Sequence, residues 1–506
     1  MTEKNVDELE VRINRIHGTQ RAEKQHSAGK MSAWERIMLL VDEGSFVETN
    51  VFLEHRCSYF GMDQRKEEGD GVITGYGTIN GRCVCIYAQD FTVFGGSISE
   101  MNARKISDIQ KKALDMLVPI VGLFDSGGAR VQEGIQSLSG HGHIFYNNVK
   151  ASGKIPQISA IMGTCAGGAS YSPALTDFIV MVDKTSNMFI TGPKVVKAAI
   201  GQDVSMEELG GTLIHSQISG MADHVARDDQ DCIVYIKELL SYLPDSYVSI
   251  PPKQIHFKYN QQKKNQIQAI VPKSGRIAYD VLKVIECIVD DGTILEIKKE
   301  YATNIVTLLA RMEGQTIGIV ANQSSQKAGC IDIDAADKAA RFVRLCDNFS
   351  IPILNLVDVS GFYPGKEQEQ KGIIRHGAKM LFAYSEAEVL KITVILRKAY
   401  GGAYLAMCSK ELGADMVFAW PNAEMAVMSA DAAINVLYKN ADEKEKENRL
   451  AEYKERFLNP FEAAHMGYVD EIIEPAATRA KVCQVLRSMG GCKQNKVTHP
   501  HGNIPL

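Results

Sequence analysis

The run Ile158-Ser159-Ala160-Ile161-Met162, followed by Gly167-Gly168-Ala169, is matched by Ile392-Thr393-Val394-Ile395-Leu396 and Gly401-Gly402-Ala403. One copy has its glycines at 167 and the other at 401, so the spacing is close to half of the 506-residue chain. Upstream of each copy stands a second matched pair. Ile120-Val121-Gly122-Leu123-Phe124-Asp125-Ser126-Gly127-Gly128 answers to Ile353-Leu354-Asn355-Leu356-Val357-Asp358-Val359-Ser360-Gly361, and the register drifts by a single residue. A chain that repeats a strand, a glycine turn and a helical stretch in two equivalent places is expected to carry two related sites. A reaction that polarises two carbonyl groups side by side would use such a pair.

Strands at 119–124 and 157–162 alternate with helical stretches, which signals βαβ units and an α/β core. The second half repeats the order: helix 333–348, strand 352–357, helix 372–385, strand 391–396 and helix 402–412. Asn80-Gly81 and Glu313-Gly314 each separate two alternating runs and predict hairpins. A charged helix is expected over Val6 to Gln25 and another over Ala33 to Val41. Residues 440–455, rich in Lys and Glu, read as a solvated helix or loop. Single cores rarely grow past about 250–300 residues. The run Leu239–Lys253 carries Pro244, Pro251 and Pro252 and is the best linker, giving domains 1–248 and 249–506.

The bulk chemistry excludes several classes. A net charge of −5 leaves no footprint for nucleic acid or an anionic membrane. No apolar run reaches the ~18 residues that span a bilayer. The first eight residues are polar and charged, so no signal peptide is expected. Eleven scattered cysteines argue against a disulfide framework and for a reducing, cytoplasmic setting. Cys83-Val84-Cys85 lacks a second pair and reads as strand, not as a metal site. His141-Gly142-His143 has no acidic neighbour and reads as loop. No metal site is expected.

A strand that ends in Gly-Gly-Ala and enters a helix presents free backbone N–H groups to a ligand. The P-loop pattern fails because no Lys-[Ser/Thr] follows, and Gly-x-Gly-x-x-Gly is absent. Ser126 and Ser170 lack the Gly-x-Ser-x-Gly elbow. Oxyanion stabilisation remains, in which each good donor contributes about 3–4 kcal/mol to the transition state. The competing reading is tight strand–helix packing without chemistry.

Longer motifs carry a family resemblance. Phe91-Thr92-Val93-Phe94-Gly95-Gly96-Ser97, Asp125-Ser126-Gly127-Gly128-Ala129-Arg130-Val131-Gln132-Glu133-Gly134, Cys165-Ala166-Gly167-Gly168-Ala169 and Phe189-Ile190-Thr191-Gly192-Pro193 occur in order. So do Glu208-Leu209-Gly210-Gly211, Gly372-Ile373-Ile374-Arg375-His376-Gly377-Ala378-Lys379, Arg397-Lys398-Ala399-Tyr400-Gly401-Gly402-Ala403-Tyr404, Ala419-Trp420-Pro421 and the ending His501-Gly502-Asn503-Ile504-Pro505-Leu506. From about residue 10 to the end, the chain resembles the carboxyltransferase subunits of biotin-dependent acyl-CoA carboxylases. It is most similar to the propionyl-CoA carboxylase β, methylmalonyl-CoA decarboxylase α and large transcarboxylase subunits.

The resemblance implies two crotonase-like ββα domains in tandem and a homohexamer whose active site joins the N-domain of one subunit to the C-domain of another. It implies catalytic Gly167 and Gly168 holding a thioester enolate, and Gly402 and Ala403 holding the ureido oxygen of biotin. Gly95, Gly96, Gly127, Gly128, Ala129, Arg130, Ala169 and Leu405 would bind the acyl-CoA. Gly361, Phe362, Gly365, Gly372, Ile374, Arg375, Gly401 and Tyr404 would bind biotin. No side-chain base is required, because carboxybiotin can release CO₂ and the biotin enolate left behind can remove the α-proton.

Leu405 departs from the pattern, since propionyl-specific members usually have Asp after Gly-Gly-Ala-Tyr, and this residue influences acyl chain length. Thr164 replaces a common Pro, and His141 and His143 also differ. Ala378-Lys379-Met380 is not a biotinylation motif, and no ATP-binding region or zinc module appears. Biotin is therefore expected on a partner carrier, with biotin carboxylase or a membrane decarboxylase on other chains. Whether the substrate is propionyl- or acetyl-CoA, and whether transfer runs as carboxylation, sodium-pumping decarboxylation or transcarboxylation, stays open. The alternatives are a biotin-independent hydratase or isomerase, for which only Asp125 and Glu133 offer acids, and a scaffold without chemistry.

Overall fold

The computed structural model describes residues 3–493 and 501–505; Leu506, the last residue of the tail motif, lies outside the described residues. The chain divides into two compact units that part between Tyr247 and Val248, with residues 501–505 belonging to the first. Each unit contains an eight-stranded sheet among the described residues.

In the first unit the strands run Val47–Thr49, Val72–Ile79, Arg82–Gln89, Ile120–Ser126, Gln157–Ala166, Phe178–Val182 and His224–Ala226 across the sheet, and Asn187–Phe189 pairs with the last residues of Gln157–Ala166. The first three are antiparallel neighbours and the rest are parallel. The hairpin turn has left-handed Asn80 (φ 51°) and Gly81 (φ 76°), as a two-residue turn between twisted strands requires. The second unit repeats the plan: Leu295–Ile297, Ile305–Met312, Gln315–Asn322, Ile353–Val359, Lys391–Tyr400, Met416–Ala419 and Glu471–Ile472, with Glu424–Ala426 on the end of Lys391–Tyr400. Its hairpin turns at Glu313 (φ 51°) and Gly314 (φ 75°).

Every residue of Ile120–Ser126 and of Ile353–Val359 is buried, as expected of parallel strands covered on both faces. Helices Glu100–Met116 and Ile135–Ala151 pack together in the first unit, and Ile333–Asn348 and Ile373–Glu386 do so in the second. A buried lysine ties the first helix of each pair to the start of a sheet strand and the loop before it. Lys105 donates to Gly69 O (3.2 Å) and Val72 O (2.6 Å), and Lys338 to Tyr301 O (2.7 Å) and Ile305 O (2.8 Å). Desolvation lowers the two amines to about 8 and about 7.

Three local expectations need correction. The helix expected over Val6 to Gln25 is two helices, Glu3–His17 and Thr19–His26, because extended Gly18 breaks the hydrogen-bond ladder. The helix expected over 402–412 stops at Ala406, and Cys408 turns left-handed (φ 65°) before a short 3₁₀ turn at Lys410–Leu412. His141-Gly142-His143 is not loop but the middle of helix Ile135–Ala151. Close packing overrides the poor helix propensity of glycine here: a Cβ on Gly140 would lie 2.5 Å from Ala103 Cβ, so the glycine lets two helices meet. No helix among the described residues is long and apolar enough to cross a membrane.

Candidate functional site: two glycine turns

Strand Gln157–Ala166 runs into the 3₁₀ turn Gly167–Ser170, and strand Lys391–Tyr400 into helix Gly401–Ala406. Gly167 and Gly401 both have φ 61°, the left-handed region where a side chain costs about 1–2 kcal/mol. This sharp entry turns the chain out of the sheet and leaves the first N–H groups of the helical turn without intrahelical acceptors. Ala169 and Ala403 point inward and are fully buried, so each turn is anchored by a methyl group in the core.

In the first unit the other glycine loops converge on this turn. Gly127 donates to Gly95 O (2.8 Å), Ile98 to Gly128 O (2.8 Å) and Arg130 to Ile98 O (2.9 Å), with a bridge between Ile98 and Ala129. Gly96 packs on Asp125, and a Cβ on Gly128 would lie 2.7 Å from Ala166 O. Gly95, Gly96, Gly127, Gly128, Ala129, Gly167, Gly168 and Ala169 thus form one backbone-walled corner. Arg130 is buried beneath it. Its guanidinium pairs with Asp70, reaches Glu133 (3.6 Å) and donates to Ser97 Oγ (3.1 Å) and Ser97 O (3.0 Å), all of them internal contacts that pin the loop.

His141 joins this corner without any sequence signal beyond its oddity in the motif. A Cβ on Gly168 would lie 2.9 Å from His141 Cδ2 and 3.2 Å from Nε2. His141 Nδ1–H donates to Ser137 O at 2.9 Å, which fixes the tautomer and leaves Nε2 as an acceptor. Nε2 is buried and has no hydrogen-bond partner among the described residues. Burial holds the imidazole below its ordinary pKa, against the opposing effect of the Ser137 bond.

In the second unit Ile331 donates to Gly361 O (3.1 Å) and Tyr363 to Ile331 O (2.8 Å), repeating the loop pairing of the first. The Phe362 ring lies beside residue 402, 3.9 Å from where a Cβ would stand, and closer still to Gly377 at 3.0 Å. Gly365 precedes helix Lys366–Lys371, and Gly372 (φ 93°) caps helix Ile373–Glu386. Ile374 on that helix is 79% exposed. Arg375 Nη2 contacts His376 Nε2 (3.2 Å), while His376 Nδ1 and Lys379 Nζ engage Asp337 at 2.8 and 3.0 Å.

Gly401, Gly402, Tyr404 and Leu405 border an apolar cavity of about 710 Å³. Its far wall includes Tyr453 and Phe457, four residues apart on helix Glu443–Phe457, and Met466. The Lys/Glu-rich stretch that reads as merely solvated therefore contributes one aromatic face. The Tyr404 hydroxyl is buried and has no partner among the described residues.

The acids near the turns are committed elsewhere. Asp125 is fully buried, bound by Lys30 Nζ (2.6 Å) and near Arg36 Nη1 (3.5 Å). Glu133 accepts from Glu100 N (2.7 Å) and faces Arg130. No group of three or more potential metal ligands occurs among the described residues.

The carboxyl transferase domain family matches residues 24–504. The methylmalonyl-CoA decarboxylase subunit alpha of Veillonella parvula is 52% identical over 489 residues, which cover 97% of this chain and 96% of the relative. The propionyl-CoA carboxylase beta chain of Cereibacter sphaeroides is 50% identical, covering 97% of this chain and 96% of the relative. The hexameric transcarboxylase 12S structure, solved with methylmalonyl-coenzyme A and methylmalonic acid bound, superimposes with a TM-score of 0.94 at 50% identity, covering 100% of this chain and 99% of that one. Both units share the crotonase-like fold of that structure.

Proposed function

The chain belongs to the carboxyl transferase domain family and is an acyl-CoA carboxyltransferase of the propionyl-CoA/methylmalonyl-CoA type, and on that premise we propose how its two turns divide the work. The Gly167–Gly168 turn accepts the thioester oxygen as the enolate forms. The Gly402–Ala403 turn accepts the ureido oxygen of biotin carried by a partner protein. Biotin, when bound, supplies the ureido nitrogen that carries the carboxyl group. This chain's part is to hold two oxyanions and to exclude water.

The single observation that carries this reading is the repeated turn: strand, left-handed glycine at φ 61°, then a helical start, whose first N–H groups lack intrahelical acceptors, once in each unit. The apolar cavity beside residues 401–405 and the unpartnered Tyr404 hydroxyl fit a bicyclic urea with an aliphatic tail. Phe362 stands beside Gly402 at the edge of that turn, and by the family resemblance Gly361, Gly365, Gly372, Ile374 and Arg375, on the loop and helix start that follow, would complete the biotin side. Leu405 is 42% exposed at the rim of the cavity, and the family resemblance is what supports reading its apolar side chain as meeting the end of the acyl group. A hydratase or isomerase is disfavoured because Asp125 and Glu133 are tied to internal cations.

A homohexamer in the cytoplasm, served by a biotin carrier and by a biotin carboxylase or membrane decarboxylase, completes the proposal. Carboxylation and decarboxylation use the same turns, and the partners set the direction. The test is to incubate purified protein with methylmalonyl-CoA and free biotin. Biotin-dependent formation of propionyl-CoA and CO₂ is expected, and its absence with all malonyl thioesters tried would reject the proposal.

A further inference from the structure

Each glycine turn has an aromatic ring against it, and the two rings differ. Phe362 lies beside Gly402, whereas His141 lies against Gly168 and closer, at 2.9 Å from the Cβ position compared with 3.9 Å. The His141 ring occupies the space that a side chain at residue 168 would need. It is 3% exposed and locked to its own helix by the Nδ1–H bond to Ser137 O, 2.9 Å long. An edge-to-face row continues outward from it through Phe145 to Tyr171, at 6.0 Å between successive ring centroids. Tyr171 opens the helix that follows the turn, so the row braces the turn from both sides.

Fold stability does not explain a histidine here. Its Nε2 is a buried acceptor without a donor among the described residues, a costly arrangement that phenylalanine would avoid. What histidine has and phenylalanine lacks is the second tie, Nδ1–H to Ser137 O, which fixes the ring's rotation. An oxyanion hole works only if its donors are aimed before the charge develops. A glycine dipeptide is the most flexible backbone available for that task.

We propose that His141 is a positioning residue of the acyl-CoA-side turn: its ring, held by Ser137, is the wall that aims the residue 168 amide at the thioester oxygen. The inference rests on the functional reading above. It predicts an effect on the chemical step and not on substrate affinity, because the ring lies against the turn and is itself 3% exposed.

The test compares wild type with His141→Phe, His141→Gln and His141→Ala. The readouts are kcat for methylmalonyl-CoA decarboxylation with free biotin, the Kd for propionyl-CoA by calorimetry, oligomer size and thermal midpoint. Ala is expected to lower kcat about tenfold or more, with propionyl-CoA affinity nearly unchanged. Phe, which keeps the ring and loses the tie, should fall between wild type and Ala while melting no lower than wild type. Gln, similar in length but without a ring, should resemble Ala. If Ala fails to assemble, the Phe and Gln pair decides. Unchanged kcat in Ala, a loss seen in Kd instead, or Phe no better than Gln would overturn the proposal. A wild type without turnover would instead reject the functional reading, and this inference with it.

Discussion

Asp125 and Asp358 occupy the same break in the two sheets, yet the cations that neutralise them come from different parts of the chain. Pairing between the central strands skips at Phe124/Ser126 in one sheet and at Val357/Val359 in the other, and the aspartate sits in the gap. Asp125 meets Lys30 (2.6 Å) and Arg36 (3.5 Å) from the N-terminal segment. Asp358 meets Arg397 (2.8 Å) and Lys398 (3.9 Å) from the neighbouring strand itself. Each aspartate thus sits where its strand's pairing with the neighbour that ends in a glycine turn changes register. Both are tied to internal cations and belong to the frame of the site.

Removing one partner of a buried pair leaves the other charge uncompensated, at a cost of about 3–5 kcal/mol. Asp358→Asn and Asp125→Asn are therefore expected to destabilise strongly, read as a drop in denaturation midpoint. Asp125→Asn should also loosen residues 30–36, seen as faster proteolysis there, and Asp358→Asn should not.

The left-handed glycines predict a separate effect. Gly167→Ala and Gly401→Ala each place a side chain at φ 61° and are expected to cost about 1–2 kcal/mol, measured by chemical denaturation. Gly402→Ala has open space before Phe362 and is expected to fold normally, whereas Gly168→Ala meets the His141 ring and should melt lower.

Much of this architecture is legible in the sequence. Hairpins at Asn80-Gly81 and Glu313-Gly314, the paired strands and the paired helices follow from alternation and from turn residues whose φ angles only certain side chains tolerate. The family motifs settle the fold and the reaction class. Three things are not legible. Helix ends at Gly18 and Ala406 are set by single backbone angles. The helical state of His141 depends on tertiary contact through Gly140, which local propensity opposes. The wall of the cavity comes from Met466 and from Tyr453 and Phe457, all far along the chain, the last two on a helix whose charge masks its one apolar face.

Lys338 links stability to pH. Its amine is lowered to about 7 in the fold from 10.5 in the unfolded chain, so between these values the unfolded state holds more protons. Its contribution to stability therefore rises as pH increases from 7 towards 10.5, and is smallest below 7. Lys338→Met removes this dependence and leaves the Tyr301 and Ile305 carbonyls without this donor, an expected loss of about 1–3 kcal/mol. Thermal midpoints of both proteins from pH 7 to pH 10 check it: the gap should widen with pH.

Leu405 predicts substrate choice. With an apolar side chain at the cavity edge, acyl preference should extend beyond propionyl, and Leu405→Asp should change the ratio of kcat/KM among acetyl-, propionyl- and butyryl-CoA. One methylene in an apolar pocket is worth about 1–3 kcal/mol, ample for steady-state kinetics to resolve. An unchanged ratio would remove Leu405 as the determinant.

The division of labour between the two turns is most directly tested with Gly168→Val and Gly402→Val, assayed for biotin-dependent decarboxylation of methylmalonyl-CoA beside wild type. Both variants are expected to assemble and to lose turnover by about a hundredfold or more, and Gly402→Val should still bind propionyl-CoA with wild-type affinity. Wild-type turnover in either assembled variant, or lost propionyl-CoA binding in Gly402→Val, would contradict the account.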